Sequence, residues 1–374
     1  MVFFARILGI VLACALPFAA PAAAPSAGEM ARIVAGLQPE PAGFEPAARA
    51  LFPPFAQDVT TQWDSYRRAI GLPMAQWACA EIDSTPGETI FYPFSGPDLP
   101  TVNQLYPDAG RYVMVAMQRA GLPPSLDRQP AAELKRTLSA YRLRWRFFAR
   151  TGFFRTNDLD DFTSRHEITV SVTSQLMAFA SRLGFEVESV EPMHIGAGGV
   201  LEAVSADRAL PATWSSVRLM LVKGGRRVQL DYVSIDLSDS MLHKYKDHQA
   251  FVDQITANRT LVKAASHLLQ KHYFSILRTA ILAHAPSVVQ DETGIEYSAL
   301  AGAFKTRLYG KFVKPHNLFQ ANSQQSLAAA YQNAVGVKPL TFRLGYDKTA
   351  GSSVVVAARG AGPGTPARQC GATP

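Results

Sequence analysis

Apolar and polar positions change their spacing several times along the chain, and each change predicts a different element. The clearest example is the stretch 88–118. Residues 89–94 form an apolar run, an amphipathic segment covers 99–106, and residues 112–117 form a second apolar run. Short apolar runs are typical of buried strands, and the segment between them has helical spacing. The stretch therefore predicts a strand, a loop, a short helix and a second strand.

Helical and strand-like spacing alternate through the rest of the chain. Residues 130–154 repeat apolar side chains every three or four positions, which predicts a long helix. Residues 217–222 and 226–237 flank a Lys-Gly-Gly sequence, and two adjacent glycines permit the turn of a β-hairpin. Residues 254–284 have the longest run of helical spacing, which predicts two consecutive helices.

This alternation predicts an α/β fold. We expect a mixed, mostly parallel sheet flanked by helices in a Rossmann-like three-layer arrangement, with the β-hairpin at one side. An α+β arrangement is the alternative. We expect residues 55–348 to form a single domain, preceded by an Ala/Pro-rich linker or arm at 23–54 and followed by a disordered tail at 349–374, where Gly, Pro and Ala dominate.

The first 22 residues have the pattern of a secretory signal peptide. Arg6 precedes a short apolar run, and the small residues Ala20 and Ala22 are typical of a cleavage site. We therefore predict a periplasmic or secreted protein whose mature chain has no transmembrane segment. Lipid attachment through Cys14 is the alternative. Export also argues against chemistry that depends on a supply of nucleotides.

Cysteine usage fits the same compartment. If the signal peptide is removed, Cys79 and Cys370 remain, and an oxidising environment permits a disulfide between them. Such a bond would hold the carboxyl-terminal tail near the body of the protein. The alternative is two separate thiols.

The formal net charge of +7 favours anionic partners, such as lipid head groups or an acidic glycan, and nucleic acid is not expected outside the cell. Arg142, Arg146 and Arg150 recur every four residues along the predicted long helix, beside an aromatic stripe. We interpret them as candidate ligand-binding residues. The alternative is a core-packing helix whose arginines are solvated.

The chain lacks the common catalytic motifs, including Gly-x-Ser-x-Gly and His-Glu-x-x-His. Ser95, Asp98, Asp236 and Asp291 are the candidate catalytic residues that remain, and Gly96 is a candidate ligand-binding residue. If the loops that carry them share one edge of the sheet, two carboxylates could serve acid/base hydrolysis of a glycan. The alternative is that each aspartate caps a helix or closes a turn. We predict neither a metal site nor a cofactor.

Four stretches are similar to an uncharacterised family of exported bacterial proteins that carries a YPFSGPD-type motif. They are FYPFSGPD at 91–98, YVSIDLSDS at 232–240, VVQDETGIEY at 288–297 and LYGKFVKP at 308–315. The resemblance implies an envelope location and one shared architecture, and it implies no activity.

The first of these stretches also resembles the opening strand-helix-strand unit of Rossmann-like methyltransferases, in which the loop after the first strand holds the cofactor. This chain departs from the methyltransferase pattern at two positions. Pro97 stands where that family has a flexible glycine, and Gln118 follows the second strand where that family has an acidic residue that holds a ribose.

Taken together, these patterns predict an exported protein that binds an anionic envelope component or has a structural role. The alternative function is a carboxylate-dependent hydrolase that acts on an envelope polysaccharide.

Overall fold

A computed structural model describes residues 25–154, 170–205, 213–348 and 351–360, and the strands of these residues form one mixed sheet. The strands are β1 (Thr89–Pro93), β2 (Arg111–Ala116), β3 (Glu186–Ile195), β4 (Leu201–Ala203), β5 (Ser216–Lys223), β6 (Arg226–Ser234), β7 (Arg259–Val262), β8 (Ser287–Gln290), β9 (Lys305–Gly310) and β10 (Ser353–Ala358). Their order across the sheet is β4-β3-β5-β6-β2-β1-β7-β8-β10-β9.

The five central strands, β6, β2, β1, β7 and β8, are all parallel. The chain builds outward from β1 through β2 to β6, and then returns to the other side of β1 to add β7 and β8. The direction of winding therefore reverses between β1 and β7. In open α/β sheets the loops that follow the strands diverge at such a reversal and leave a crevice.

The remaining pairings are antiparallel. They join β3, β4 and β5 to one side of the parallel strands and β10 and β9 to the other. The predicted α/β class and the hairpin at one side of the sheet are confirmed. The prediction of a mostly parallel sheet is wrong, because the strands added at both sides pair antiparallel. Parallel pairing is confined to the centre and accounts for four of the nine pairings of described strands.

Helices cover both faces of the sheet. They are α1 (Ala27–Val34), α2 (Pro46–Arg49), α3 (Phe52–Tyr66), α4 (Leu72–Glu81), α5 (Leu99–Leu105), α6 (Ala131–Thr151), α7 (Val172–Arg182), α8 (Asp239–Lys244), α9 (Lys246–Ile255), α10 (Ser275–His284), α11 (Tyr297–Ala303) and α12 (Gln325–Asn333). Successive strand residues enter different cores: Ile90 and Tyr92 pack on the side of α1 to α7, whereas Phe91 packs on the side of α8 to α12. This alternation follows from the two-residue repeat of a strand and gives a three-layer architecture.

Helix α6 shows how sequence spacing becomes packing. Its aromatic stripe lies against α3, where the rings of Trp145 and Trp63 are 6.0 Å apart and those of Phe148 and Tyr66 are 4.6 Å apart. The helix ends at Gly152, which has φ 77° and donates its N–H to the carbonyl of Phe148. Glycine is favoured here because a left-handed residue ends a helix without a Cβ clash.

The prediction of two helices in 254–284 is wrong, because Arg259–Val262 forms strand β7 between β1 and β8. Only the second predicted helix is present, as α10. Strand β7 has four residues, and Thr260, Leu261 and Val262 are all buried. A short strand that is buried on both faces shows no polar alternation, and periodicity cannot distinguish it from part of a helix.

The two predicted flanking segments also take part in the fold. Ser353–Ala358 lies in the predicted disordered tail but forms β10, which pairs with both β8 and β9. In the predicted linker or arm, α1 buries Ala31, Ile33 and Val34 against the core, so that segment is firmly packed.

The predicted signal peptide, with Cys14, lies outside the described residues, and so does Cys370. Within the described ranges, no helix has the length and apolar character needed to cross a membrane.

Candidate ligand-binding site

A cavity of about 350 Å³ lies at the carboxyl ends of β1, β2 and β7, where the strand order reverses. Four aromatic rings contribute to its walls, those of Phe94, Phe154, Phe319 and Tyr346. Small residues of the loops after β1 and β7 and Met117 at the end of β2 complete much of the lining, and no charged side chain lines the cavity among the described residues. The cavity therefore suits an uncharged molecule that has both apolar and polar surface.

The backbone around this cavity is strained. Among the described residues, the non-glycine residues with positive φ are Phe94 (59°), Ala264 (50°), Ser266 (52°) and His267 (59°). All four lie in the loops that follow β1 and β7, and three of them line the cavity. A left-handed conformation costs an L-residue about 1–2 kcal/mol, so it persists only where its surroundings hold it. Such strain is concentrated at functional sites in proteins.

The strained turn after β7 is held by the loop after β8. Asp291 accepts a hydrogen bond from the backbone N–H of Ala264 (2.8 Å), and the hydroxyl of Thr293 accepts one from Ala265 (2.8 Å). The carbonyl of Thr293 accepts a third from the N–H of His267 (3.0 Å). Asp291 also accepts the N–H and the hydroxyl of Thr293, at 2.9 and 2.6 Å. We call this arrangement of Asp291 and Thr293 the turn clamp.

A buried ion pair connects the loop after β1 to β7. The ammonium of Lys263 donates to Asp98 (2.7 Å), to the hydroxyl of Thr101 (2.7 Å) and to the carbonyl of Gly152 (3.0 Å). The hydroxyl of Tyr92 donates to the same carboxylate at 2.9 Å. Burial raises the pKa of Asp98 and lowers the pKa of Lys263, while their mutual attraction opposes both shifts. Each donor of Lys263 is used, so the pair fixes α5, β7 and the end of α6 relative to one another.

None of the four predicted catalytic residues lines the cavity. Asp98 and Asp291 are fully buried in the ion pair and the turn clamp. The hydroxyl of Ser95 is 3.4 Å from the carbonyl of Val115. Asp236 accepts the N–H of Ser238 at 2.8 Å and closes a turn after β6.

Of the predicted ligand-binding residues, Gly96 lines the cavity, with φ 52°. Arg142 and Arg146 lie instead against Asp58 of α3, at 4.0 and 3.1 Å, and the guanidinium of Arg150 is 5.7 Å from the ring centre of Phe147. None of the three arginines lines the cavity.

Cys79 is disulfide-bonded. Because Cys14 and Cys370 both lie outside the described residues, the pairing of Cys79 with Cys370 stays a prediction.

Sequence reasoning missed the polar residues of the cavity wall. The hydroxyls of Ser266 and Tyr346 are hydrogen-bonded to each other at 2.8 Å. Gln118, which in the sequence stands only as a departure from an acidic position, lines the cavity, and its side-chain amide nitrogen is buried without a partner among the described residues. Ser266 could not be placed because β7 was not predicted. Gln118 follows the predicted strand β2, and that position was a signal that could have identified it.

A second buried carboxyl lies beside the turn clamp. Burial, together with the neighbouring Asp291, raises the pKa of Glu292 well above its ordinary value, and one of its carboxyl oxygens has no hydrogen-bond partner among the described residues.

In the described ranges, no group of three or more His, Cys, Asp or Glu side chains is arranged to hold a metal ion.

Comparison of the chain with protein-family models, with curated proteins and with solved structures found no match. The resemblance to exported bacterial proteins therefore stays a prediction, and the geometry of the cavity is the main guide to function.

Proposed function

We propose that this protein binds an uncharged, ring-bearing small molecule in the cavity at the carboxyl ends of β1, β2 and β7. The observation that carries the proposal is the aromatic, charge-free lining at the point where the strand order reverses. The order of the five parallel strands supports a Rossmann-like assignment, and in such sheets ligands bind in the crevice at the reversal. Fold alone does not specify a ligand, so the chemistry of the wall must do so.

The size and the lining of the cavity both support this ligand class. A volume of about 350 Å³ is within the usual range of small-molecule sites, which are mostly apolar with a few polar groups. Four aromatic side chains offer faces and edges for a flat ring. The exposed Met117 and Leu318 lie on the lining and extend the apolar surface towards solvent.

The two functions expected from the sequence have less support. An anionic component would need cations, but two arginines of the α6 stripe face Asp58 and the cavity itself has no charged lining. A hydrolase would need a carboxylate that reaches substrate, whereas Asp98 and Asp291 are fully buried and already hydrogen-bonded. We retain an envelope location as part of the proposal, on the signal-like pattern of the first 22 residues.

The test compares two fluorescent probes that share their rings and differ in charge. N-Phenyl-1-naphthylamine is neutral, and 1-anilinonaphthalene-8-sulfonate carries a sulfonate. We expect saturable binding of the neutral probe with the higher affinity. Met117→Trp should weaken it at least tenfold, because Met117 lies on the lining and is exposed, so a larger side chain there obstructs entry. Val335→Trp is the control, since Val335 is fully exposed and does not line the cavity.

Tighter binding of the sulfonate, unaffected by Met117→Trp, would contradict the proposal and favour an anionic ligand bound elsewhere. Equal effects of Met117→Trp and Val335→Trp would also contradict it.

Binding of a purine nucleoside is a second candidate. It is favoured by the combination of the strand order with Gly96, whose φ of 52° lies in the loop directly after β1. Titration with adenosine tests it. Saturable binding that Met117→Trp removes would support a nucleoside ligand, whereas adenosine that neither binds nor displaces the neutral probe would exclude it.

A further inference from the structure

We infer that the carboxyl edge of the sheet, at which the five parallel strands end, docks on the surface of an anionic lipid bilayer. Most of the large hydrophobic side chains that are exposed in the described part of the chain lie at this edge, and exposed cations lie beside several of them. Exposed apolar side chains next to lysine or arginine are typical of surfaces that bind anionic membranes. The arginine stripe of α6 is not part of this surface.

Two of the exposed apolar side chains also line the cavity. Met117 directly follows β2, and Leu318 lies in the chain after β9. Leu122 is exposed in the loop after β2, where the N–H groups of Ala120 and Gly121 bind the two residues that precede β5. Because β5 runs antiparallel to β6, its start lies at the carboxyl edge. All three side chains therefore belong to this edge.

The directions of the outer strands place two exposed valines at the same edge. Strand β9 runs in the direction of β8, because both pair antiparallel with β10, and Val313 lies three residues after the end of β9. Strand β3 runs in the direction of β6, because both pair antiparallel with β5, and Val200 lies five residues after the end of β3. The exposed apolar side chains thus follow strands on both sides of the centre of the sheet.

Two exposed tyrosines lie at this edge as well. Tyr273 precedes Phe274, whose ring is 5.5 Å from that of Phe94 in the loop after β1. Tyr245 lies between α8 and α9, and the first turn of α9 is hydrogen-bonded to Gly198, which follows β3. Tyrosine is enriched where water meets lipid, because its ring is apolar and its hydroxyl is polar.

Exposed cations lie one or two residues from three of these apolar side chains. They are Arg119 near Met117, Lys244 and Lys246 around Tyr245, and Lys311 and Lys314 around Val313. None of the five forms an ion pair with another described residue. Lysine is depleted at protein–protein interfaces, whereas lysine beside an anionic membrane strengthens binding. The combination therefore fits a bilayer better than a protein partner.

Carboxylates of the same loops are held by hydrogen bonds within the fold. Asp236 accepts the N–H of the residue two positions later, Asp239 accepts the N–H groups that begin α10, and Asp247 accepts the N–H that follows β3. The unpaired lysines have long, mobile stems that can extend to lipid phosphates. Docking at this edge also turns the cavity towards the bilayer, so that an uncharged ligand can enter from the lipid. That consequence rests on the proposed function, whereas the docking does not require a ligand.

Co-sedimentation of the full-length chain with lipid vesicles tests the inference. Vesicles of equimolar phosphatidylcholine and phosphatidylglycerol should bind the protein at least tenfold more tightly than phosphatidylcholine alone, and added salt should reduce the difference. Lys244→Gln combined with Lys246→Gln should weaken binding to the anionic vesicles by roughly twentyfold, since each cation contributes about fivefold. Any contribution of the first 22 residues is the same in every variant.

Lys135→Gln combined with Arg136→Gln is the matched control, because both residues are exposed and neither forms an ion pair with a described residue. They lie roughly 25 Å along α6 from Gly152, which contacts Lys263 at the end of β7. This double variant should bind anionic vesicles as the wild type does.

Val313→Ser tests the apolar contribution. It should weaken binding to both kinds of vesicle by roughly tenfold, because insertion of an aliphatic side chain does not depend on lipid charge. Leu143→Ser, on the exposed side of α6, is its control and should have little effect. Circular dichroism establishes that each variant is folded.

Three outcomes would overturn the inference. They are no binding to either kind of vesicle, vesicle binding that the lysine and valine variants leave unchanged, and self-association without vesicle binding that Val313→Ser abolishes. The last outcome would assign the edge to a second copy of the chain. The neutral naphthylamine probe is titrated into the same samples, so a failure of docking and a failure of the proposed function are distinguished.

Discussion

Two regions of the sheet stabilise left-handed backbone conformations in different ways. In the antiparallel extension, formed by β3, β4 and β5 beside β6, the β5–β6 turn has φ 57° at Gly224 and 76° at Gly225. At the carboxyl edge of the parallel strands, Phe94, Ala264 and Ser266 have comparable positive φ but are not glycines.

The difference shows where each conformation obtains its stability. A glycine adopts positive φ by itself, so the hairpin turn is encoded locally. The turn after β7 needs hydrogen bonds from Asp291 and Thr293, which lie more than 25 residues further along the chain. Such a turn exists only in the folded protein. The carboxyl edge is thus stabilised by long-range polar contacts, and the extension by local preference and regular pairing.

The largest predicted effect is on the buried ion pair. Lys263→Met leaves Asp98 buried without a cation, and we expect a loss of about 3–5 kcal/mol in the free energy of unfolding, measured with urea. In the extension, Arg218 contacts the buried Asp231. Arg218→Met should lower the free energy of unfolding by only about 1–2 kcal/mol, because Asp231 keeps its contacts with Arg111 and Gln229. Equal losses would refute the contrast between the two regions.

The second prediction concerns the turn clamp. Thr293→Val removes a hydroxyl that accepts from Ala265 and donates to Asp291, and it leaves a buried N–H unpaired, at a cost of about 2 kcal/mol. Thr293→Ser keeps the hydroxyl and should cost less than about 1 kcal/mol. Hydrogen exchange at the Ala265 amide should accelerate in the valine variant only. Exchange that is unchanged would mean that the turn does not depend on the clamp.

The third prediction is a pH dependence that originates beside the clamp. Because its pKa is raised in the folded protein, Glu292 contributes stability that is complete below its ordinary pKa of 4.5 and is lost as the pH rises towards the folded value. The slope is at most about 1.4 kcal/mol per pH unit. Glu292→Gln should flatten the decline above pH 4.5, as measured by urea unfolding at a series of pH values.

Asp291 and Asp347 also face Glu292, and their pKa values are raised by burial, so part of the decline should persist in the Glu292 variant. Glu186→Gln is the control in the antiparallel extension, because Glu186 is exposed on β3. The two variants should give different profiles. A Glu292→Gln profile that matches the wild type would show that this carboxyl is not protonated in the folded protein.

The smallest predicted effect separates local from long-range stabilisation most directly. At position 225 glycine should be more stable than alanine by about 1 kcal/mol, since nothing crowds the site and only the positive φ matters. At position 266, where φ is also positive, Ser266→Gly should likewise be more stable than Ser266→Ala. Neither variant has the hydroxyl, so its loss does not affect this comparison. Ala132→Gly on the exposed face of α6 should show the opposite sign, by about 1 kcal/mol. Thermal unfolding measures all three differences.

Parts of the fold could be read from the sequence because their signals are local. The strands at 89–94 and 112–117, the helix between them and the hairpin around Gly224 and Gly225 are all present close to their predicted bounds. Two of the strands that were missed, β7 and β10, are short and buried, and their partners are distant in the chain. Without β7 the reversal of strand order could not be predicted, and the cavity could not be located.

The α/β class, the loop after β1 with Gly96 and the hairpin follow from the amino-acid pattern alone, because apolar spacing and glycine placement act over a few residues. The roles of the polar residues depend instead on contacts between segments that are distant in the chain. Asp98 and Asp291 were candidates for catalysis, and the fold uses them to hold an ion pair and a turn. Ser266 and Gln118 line one cavity because β2 and β7 flank β1, and neighbours in a sheet are set by long-range packing.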